Sequence, residues 1–165
     1  MNVIASGARA WYFWTLVVFF VLLHFTLHVT VGLGASAPDL LTVSVLVAAR
    51  RLTGSAAAAL GLVLGLLEDS LALDAFGAQA VTLTIIGYLG ARSRDLFVGD
   101  SLLFVGVYLF IGKWLHDVIY YLLAGSAVRG DAVFRLLVQA PLAALYAAGV
   151  GLVALVVYRA ITGER

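Results

Sequence analysis

Long apolar runs, most of them about wide enough to cross a bilayer, alternate along this chain with short connections that carry most of the arginines. A helix that crosses a membrane needs about 20 predominantly apolar residues. Hydrophobic residues make up 64% of the 165 residues, and the mean hydropathy is +1.10. A water-soluble domain of this size needs more polar surface than these residues provide. The pattern therefore predicts an all-α integral membrane protein.

The breaks between the apolar runs divide the chain into six predicted transmembrane helices, which form a single transmembrane domain over residues 1–165. Glycines, prolines and arginines between the runs mark the helix ends. The predicted helices span about 11–31, 38–50, 55–73, 78–91, 101–124 and 133–159. The second is short for a full crossing, so we expect it to be tilted, to thin the bilayer locally or to be shielded by its neighbours.

The distribution of arginines predicts the orientation of these helices. With the amino terminus placed in the cytoplasm, the arginines that fall on the cytoplasmic side are Arg9, Arg50, Arg51, Arg92, Arg94, Arg159 and Arg165. Only Arg129 and Arg135 fall outside or at the outer interface. Positively charged residues are enriched in cytoplasmic connections, so we expect both termini in the cytoplasm. Arg92 and Arg94 are also candidates for contact with anionic lipid or a cytoplasmic partner.

Several ionisable or polar residues lie inside the apolar runs, where they are costly unless they face the bundle interior or a water-filled cavity. The candidates are His24, Glu68, Asp69, Lys113, His116, Asp117 and Gln139. At about 1.5 Å of rise per residue, those on the first, third and fifth helices lie roughly 18–24 Å from the inner end. Gln139 reaches a similar level from the outer side. The sequence therefore predicts a polar layer in the outer half of the membrane.

Helical spacing suggests how these residues are used. Gly61, Gly65 and Asp69 recur every fourth residue, so they share one face, and the glycine pair allows another helix to approach closely. We expect this face to pack inside the bundle, with a homodimer seam as the alternative. Lys113 and Asp117 are also four apart, and the buried lysine needs a carboxylate from Asp117 or Asp69. We interpret the lysine and its carboxylate as a structural pin between helices, with a proton path as the alternative.

Other residue patterns narrow the function classes. The chain has no cysteine, which excludes disulfides, iron–sulfur clusters and thiolate zinc sites. It contains no P-loop, serine elbow or H-E-x-x-H motif, so we expect no catalytic site and no cofactor. His24 and His28, with Asp69 or Asp117, are a possible metal set, but we expect hydrogen-bonded core or interface histidines and no metal. A net charge of +1 does not favour nucleic acid as a partner.

From about Trp11 to the sixth helix, the chain resembles the rod shape-determining protein MreD family. The resemblance rests on the G-x-x-x-G-x-x-x-D pattern of Gly61, Gly65 and Asp69, on the Phe76-Gly77 turn, and on Gly87-Tyr88-Leu89 at the end of the fourth helix. Pro38-Asp39-Leu40-Leu41 and His116-Asp117 also match its layout. The family-type positions, which include the helix-packing candidates, are Pro38, Gly61, Gly65, Asp69, Gly77 and Asp117. Lys113, His24 and His28 are not part of this resemblance.

The resemblance implies a non-enzymatic scaffold in the bacterial inner membrane that helps to organise lateral peptidoglycan synthesis. It implies direct binding of a single-pass MreC-like protein, with a RodA-type glycosyltransferase, a transpeptidase and MreB in the wider complex. It also implies a fold similar to the substrate-binding components of energy-coupling-factor transporters. The alternative function is therefore a substrate-binding subunit of a vitamin-type transporter, with the polar layer as its ligand pocket. A third hypothesis, less favoured than the other two, is a proton-coupled carrier that uses Asp69, Lys113 and Asp117.

Overall fold

The computed structural model of the protein describes residues 3–30, 38–71, 75–93, 101–124 and 132–163. Within these ranges the chain forms six helices and no strand. The first five are α1 (Val3–Phe25), α2 (Leu40–Ala49), α3 (Gly54–Leu71), α4 (Ala78–Ser93) and α5 (Leu102–Leu123). The sixth, α6, begins with the turn Ala132–Phe134, passes through the π-helical segment Arg135–Gln139 and continues as Ala140–Thr162. The prediction of an all-helical chain is confirmed over the described ranges.

The first helix differs most from its predicted bounds. α1 begins at Val3 instead of Trp11, and it continues beyond Phe25 as a π-helical segment, Thr26–Thr30. The hydropathic span within it is Ala10–His28. The sequence pattern thus located the part that suits a membrane, whereas the helical backbone starts before it. The predicted breaks at Gly32 and Gly34, the loop at 125–131 and Arg94 lie outside the described residues.

The short helix α2 lies in the centre of the bundle. All ten of its residues are buried, and it contacts α1, α3, α4, α5 and α6. Of the three arrangements expected for a short apolar helix, the structure therefore has the one in which neighbouring helices shield it. Its two internal hydroxyl groups cost little, because each has a hydrogen-bond acceptor: Ser44 Oγ donates to the Leu41 carbonyl at 2.7 Å, and Thr42 Oγ1 donates to Asp39.

Helices α3 and α4 form the closest pair in the described bundle, and glycines set their separation. A Cβ atom added at Gly61 lies 2.1 Å from the carbonyl oxygen of Leu83, and one at Gly65 lies 2.5 Å from Ala80 Cα. From the opposite side, a Cβ at Gly87 lies 2.3 Å from the carbonyl oxygen of Ala57. The glycine face of α3 is therefore packed inside this chain, against α4, and is not exposed for a second copy.

Gly77, in the turn between α3 and α4, has a different role from the helix-packing one expected for it. Its φ is +93°, and an added Cβ has no atom within 4 Å. Positive φ is strained for residues with a side chain. Gly77 therefore permits the turn into α4 and packs against nothing. Pro38 is half-buried and directly precedes the capping residue of α2.

Four helical segments of the described chain are long and apolar enough to cross a membrane, namely Ala10–His28, Gly54–Leu71, Leu102–Leu123 and Arg135–Thr162. Large apolar side chains also face outward, among them Trp11, Leu22, Val63 and Leu103, all more than half exposed. Such a surface suits lipid, whose tails are as apolar as these side chains. The chain is a multi-pass membrane protein, as the sequence predicted.

Candidate functional site

A polar cluster joins five of the six helices near the N-terminus of α2. Its members are His24, Asp39, Glu68, Asp69, Gln79, Lys113, His116 and Asp117. Asp39 caps α2, because its carboxylate accepts the backbone N–H of Thr42 at 3.0 Å and the Thr42 hydroxyl at 2.6 Å. The helix dipole also stabilises a carboxylate at this end. The short Pro-Asp sequence before α2 thus brings a negative charge to the edge of the apolar core.

Lys113 connects α5 to this cap. Its ammonium group lies 2.8 Å from Asp39 Oδ2 and also hydrogen-bonds to Asp117, one turn further along α5. The lysine side chain is only 8% exposed, whereas the two carboxylates are about one fifth exposed. A buried ammonium is tolerated when it has charged partners that also accept its hydrogen bonds. The intrahelical partner is the one that the spacing suggested, and the second partner is Asp39 instead of Asp69.

His116 extends the cluster from α5 to α4. Its Nδ1 lies 3.1 Å from Asp117 Oδ1, and its Nε2 lies 3.0 Å from Oε1 of Gln79 in the first turn of α4. The ring is almost completely buried and stacks parallel to Tyr120, with 6.2 Å between ring centroids. Because both ring nitrogens have partners on defined side chains, the imidazole is held in one orientation between the two helices.

Asp69 makes a separate connection, between α3 and the backbone of α4. Its Oδ1 accepts the Gln79 N–H at 3.2 Å, and its Oδ2 accepts the Ala80 N–H at 2.9 Å. The side chain is 2% exposed. The first N–H groups of a helix have no partner within the helix, so a carboxylate there satisfies them and interacts favourably with the helix dipole. Asp69 thus caps α4 from a neighbouring helix, and the pattern of Gly61, Gly65 and Asp69 is one continuous α4-binding face.

His24 joins α1 to α2 and α3. Its Nδ1 accepts the backbone N–H of Leu41 at 3.3 Å, and its Nε2 lies 3.5 Å from Glu68 Oε1. His28 stacks on His24 with ring centroids 4.1 Å apart and hydrogen-bonds through Nδ1 to the His24 carbonyl oxygen at 3.1 Å. Both His24 nitrogens therefore have protein partners, as in a structural histidine.

The carboxylates of the cluster are close enough to suggest a cation site. One ligand atom each from Asp39, His116 and Asp117 lies within 4.8 Å of the others. However, the Lys113 ammonium contacts both carboxylates and supplies the positive charge there. Among the described residues, every buried side-chain nitrogen or oxygen has a hydrogen-bond partner. The cluster is therefore an internally paired network that ties helices together.

Two differences separate this cluster from the predicted polar layer. Gln139 is exposed at the end of the π-helical segment and does not join it. The face of α6 that enters the bundle is lined by Ala140, Ala144, Ala147 and Gly151 instead. Sequence reasoning also missed Asp39 and Gln79 as members. An N-cap pattern, Asp39 before a buried apolar run, was the available signal for the first; Gln79 carries no comparable local signal.

A groove on the outside of the bundle runs between α1 and α6. It encloses about 650 Å³ and is open along one side. Its lining is almost entirely apolar, with Phe19, Phe20 and Leu23 on α1 and Leu145, Tyr146, Gly149 and Val153 on α6. Gly149 is exposed, and an added Cβ there has no atom within 4 Å. The groove lining thus lacks a side chain at Gly149, so another helix can approach closely there.

Comparison with known proteins gives one family. A family model described as rod shape-determining protein MreD matches residues 8–146, a range that includes α2 to α5 and all eight members of the polar cluster. No curated protein and no solved structure matches significantly. The expected likeness of fold to the substrate-binding components of energy-coupling-factor transporters therefore stays a prediction.

Proposed function

This chain belongs to the MreD family of rod shape-determining proteins, and from that premise we propose that it is a non-enzymatic scaffold of the cell-elongation complex in the bacterial inner membrane. Membership of this family indicates a role in rod shape determination. We propose more specifically that the bundle binds an MreC-like single-pass protein directly and helps to organise lateral peptidoglycan synthesis. A RodA-type glycosyltransferase, a transpeptidase and MreB complete the wider complex.

We further propose that all six helices cross the membrane, with both termini in the cytoplasm. The positions of the described arginines support this orientation. Arg50 and Arg51 follow α2, Arg92 is in the last turn of α4, and Arg159 is in the last turn of α6, so they share one end of a bundle of alternating helices. Arg135, at the start of α6, belongs to the other end. Such an asymmetry is typical of cytoplasmic connections.

The observation that carries the scaffold proposal is the contrast between the interior and the outside of the bundle. The buried ionic groups pair with one another, so they are committed to holding the helices together. The groove between α1 and α6, in contrast, is apolar and open, and the exposed Gly149 is part of its lining. In lipid, helices associate through close van der Waals packing at small residues, since no hydrophobic force drives them together. We propose that the transmembrane helix of the MreC-like partner lies in this groove.

A groove-filling substitution tests this proposal. Gly149→Phe adds an aromatic ring to the groove lining at a position where an added Cβ has nothing within 4 Å. The matched control is Val63→Phe, which adds an aromatic ring at an exposed position on α3, away from the groove. Each tagged variant is purified in mild detergent from cells that depend on it for rod shape. We expect Gly149→Phe to recover several-fold less MreC-like protein and to give rounded cells, whereas Val63→Phe behaves as the wild type.

The result that contradicts partner docking in the groove is equal recovery of the MreC-like protein with both variants at equal membrane levels. The same purification also tests the scaffold role itself. Wild-type chain that co-purifies with an ATPase pair and a coupling subunit, or with a bound vitamin-like molecule, would replace the scaffold by the substrate-binding subunit. Mass spectrometry of the purified complex distinguishes these outcomes.

A further inference from the structure

A second, smaller cavity lies between α2, α4 and α5, near the end of the bundle where α2 and α4 terminate. This crevice encloses about 120 Å³, and its apolar lining includes Leu46 from α2, Leu89 and Gly90 from α4, and Ile111 and Gly112 from α5. A water molecule occupies about 30 Å³ in the liquid, and a methylene group is of similar size. The crevice therefore has room for a few methylene groups, which is a short stretch of an acyl chain and less than a whole one.

Two glycines and one hydrogen-bonded tyrosine are among the residues that line the crevice. A Cβ at Gly90 lies 2.8 Å from the Tyr108 hydroxyl, and one at Gly112 lies 2.6 Å from a methyl group of Leu46. The Tyr108 hydroxyl donates to the Leu46 carbonyl at 2.8 Å, so the ring is fixed as one wall. Leu89 and Ile111 are both more than 40% exposed. The crevice thus opens sideways, toward the acyl chains of a surrounding bilayer.

Two arginines lie at the ends of the helices that line this crevice. Arg92 is exposed in the last turn of α4, next to Ser93, which lines the crevice. Arg50 ends α2, directly after Ala49, whose Cβ lies 3.3 Å from the position of an added Gly90 Cβ. The two arginines therefore come from different helices at the same level of the bundle. An apolar slot with the exposed Arg92 at one end is complementary to an anionic phospholipid.

We propose that the crevice between α2, α4 and α5 binds one anionic phospholipid, with part of an acyl chain beside Leu46 and Gly90 and the phosphate near Arg92. Burial of apolar chain in the crevice retains the lipid, and Arg92 selects its headgroup. The lipid site lies between α2, α4 and α5, whereas the groove proposed for the protein partner lies between α1 and α6. An experiment can therefore contradict one of the two proposals without contradicting the other.

Native mass spectrometry tests the site. The full chain is placed in nanodiscs that contain equal amounts of phosphatidylglycerol and phosphatidylcholine, and the lipid that remains after gentle release is identified. We expect the wild type to retain one phosphatidylglycerol preferentially. Arg92→Gln should reduce that preference about fivefold, as expected for one basic residue near a charged surface. Its control, Arg159→Gln, removes an arginine from the same end on α6 and should leave the preference unchanged.

A second pair of variants tests the slot. Ile111→Phe enlarges an exposed side chain at the crevice opening, whereas Val107→Phe makes the same kind of change one turn earlier on α5, outside the lining. We expect only Ile111→Phe to lose retained lipid of both types. Equal retention of the two lipids by the wild type, or an equal effect of Arg92→Gln and Arg159→Gln, overturns the headgroup assignment. Unchanged retention in Ile111→Phe overturns the crevice as the binding site.

Discussion

The ammonium group of Lys113, halfway along α5, lies 2.8 Å from the carboxylate of Asp39, which caps α2. A single contact thus connects the centre of a long membrane helix to the first turn of the buried one. Because Lys113 also hydrogen-bonds to Asp117, it separates two carboxylates that would otherwise face each other inside the bundle. The two carboxylates together offset the cost of desolvating the lysine.

Removal of Lys113 should therefore destabilise the bundle more than removal of either carboxylate. Lys113→Met leaves Asp39 and Asp117 without their shared cation, and breaking a buried ion pair in this way costs about 3–5 kcal/mol. Asp39→Asn leaves the pair of Lys113 and Asp117 intact and should cost less. The free energy of unfolding, measured by denaturing-detergent titration of the purified chain, checks the order.

The double variant Lys113→Met with Asp39→Asn is the control for this interaction. If the two residues act on each other as the distance implies, the double variant should be more stable than Lys113→Met alone, because one uncompensated charge has been removed. Strictly additive losses would contradict a direct coupling between Lys113 and Asp39.

Substitution of Asp69 should act through the start of α4. Asp69→Leu leaves the N–H groups of Gln79 and Ala80 without an acceptor, which costs about 3 kcal/mol for two buried or partly buried donors. Asp69→Asn keeps one acceptor oxygen and should cost about half as much. The same unfolding titration measures both, and cell shape provides the functional readout. Wild-type stability and normal rods in Asp69→Leu would show that this cap is dispensable.

The separation of α3 and α4 should be sensitive to a single methyl group. Gly61→Ala places a Cβ 2.1 Å from the backbone oxygen of Leu83, which cannot rotate away, so the helices must move apart. We expect a loss of about 2 kcal/mol, as for other overpacked sites. Gly149→Ala is the matched control, since its Cβ enters open space. Equal unfolding free energies for the two alanine variants would contradict the close α3–α4 contact.

Much of the helical architecture followed from local sequence patterns. The apolar runs located the helices, because hydropathy over about 20 residues is a local property. The shared face of Gly61, Gly65 and Asp69 followed from the helical period alone. The pairing of Lys113 with Asp117 was also available, since both lie one turn apart on the same helix.

The partners of the remaining polar residues depended on which helices become neighbours. Asp69 was a candidate for Lys113, but it binds the backbone of Gln79 and Ala80 because the glycine face brings α3 against α4. Asp39 carried only the signature of a helix cap, and its contact with Lys113 required α2 to lie beside α5. Gln139 is a polar residue in an apolar run, which suggested a place inside the bundle. In the structure, however, the face of α6 that packs inward is the one that carries its small residues.

The sequence by itself determined that this chain is a helical membrane protein with a small number of charges that must be neutralised inside it. Length, hydropathy and the cost of a charge in an apolar medium are sufficient for that conclusion. Only the tertiary structure decided which charge meets which partner. Carboxylates on different helices are all suited to neutralise the Lys113 ammonium group. The close packing of α2, α3, α4 and α5 determines which of them contact it.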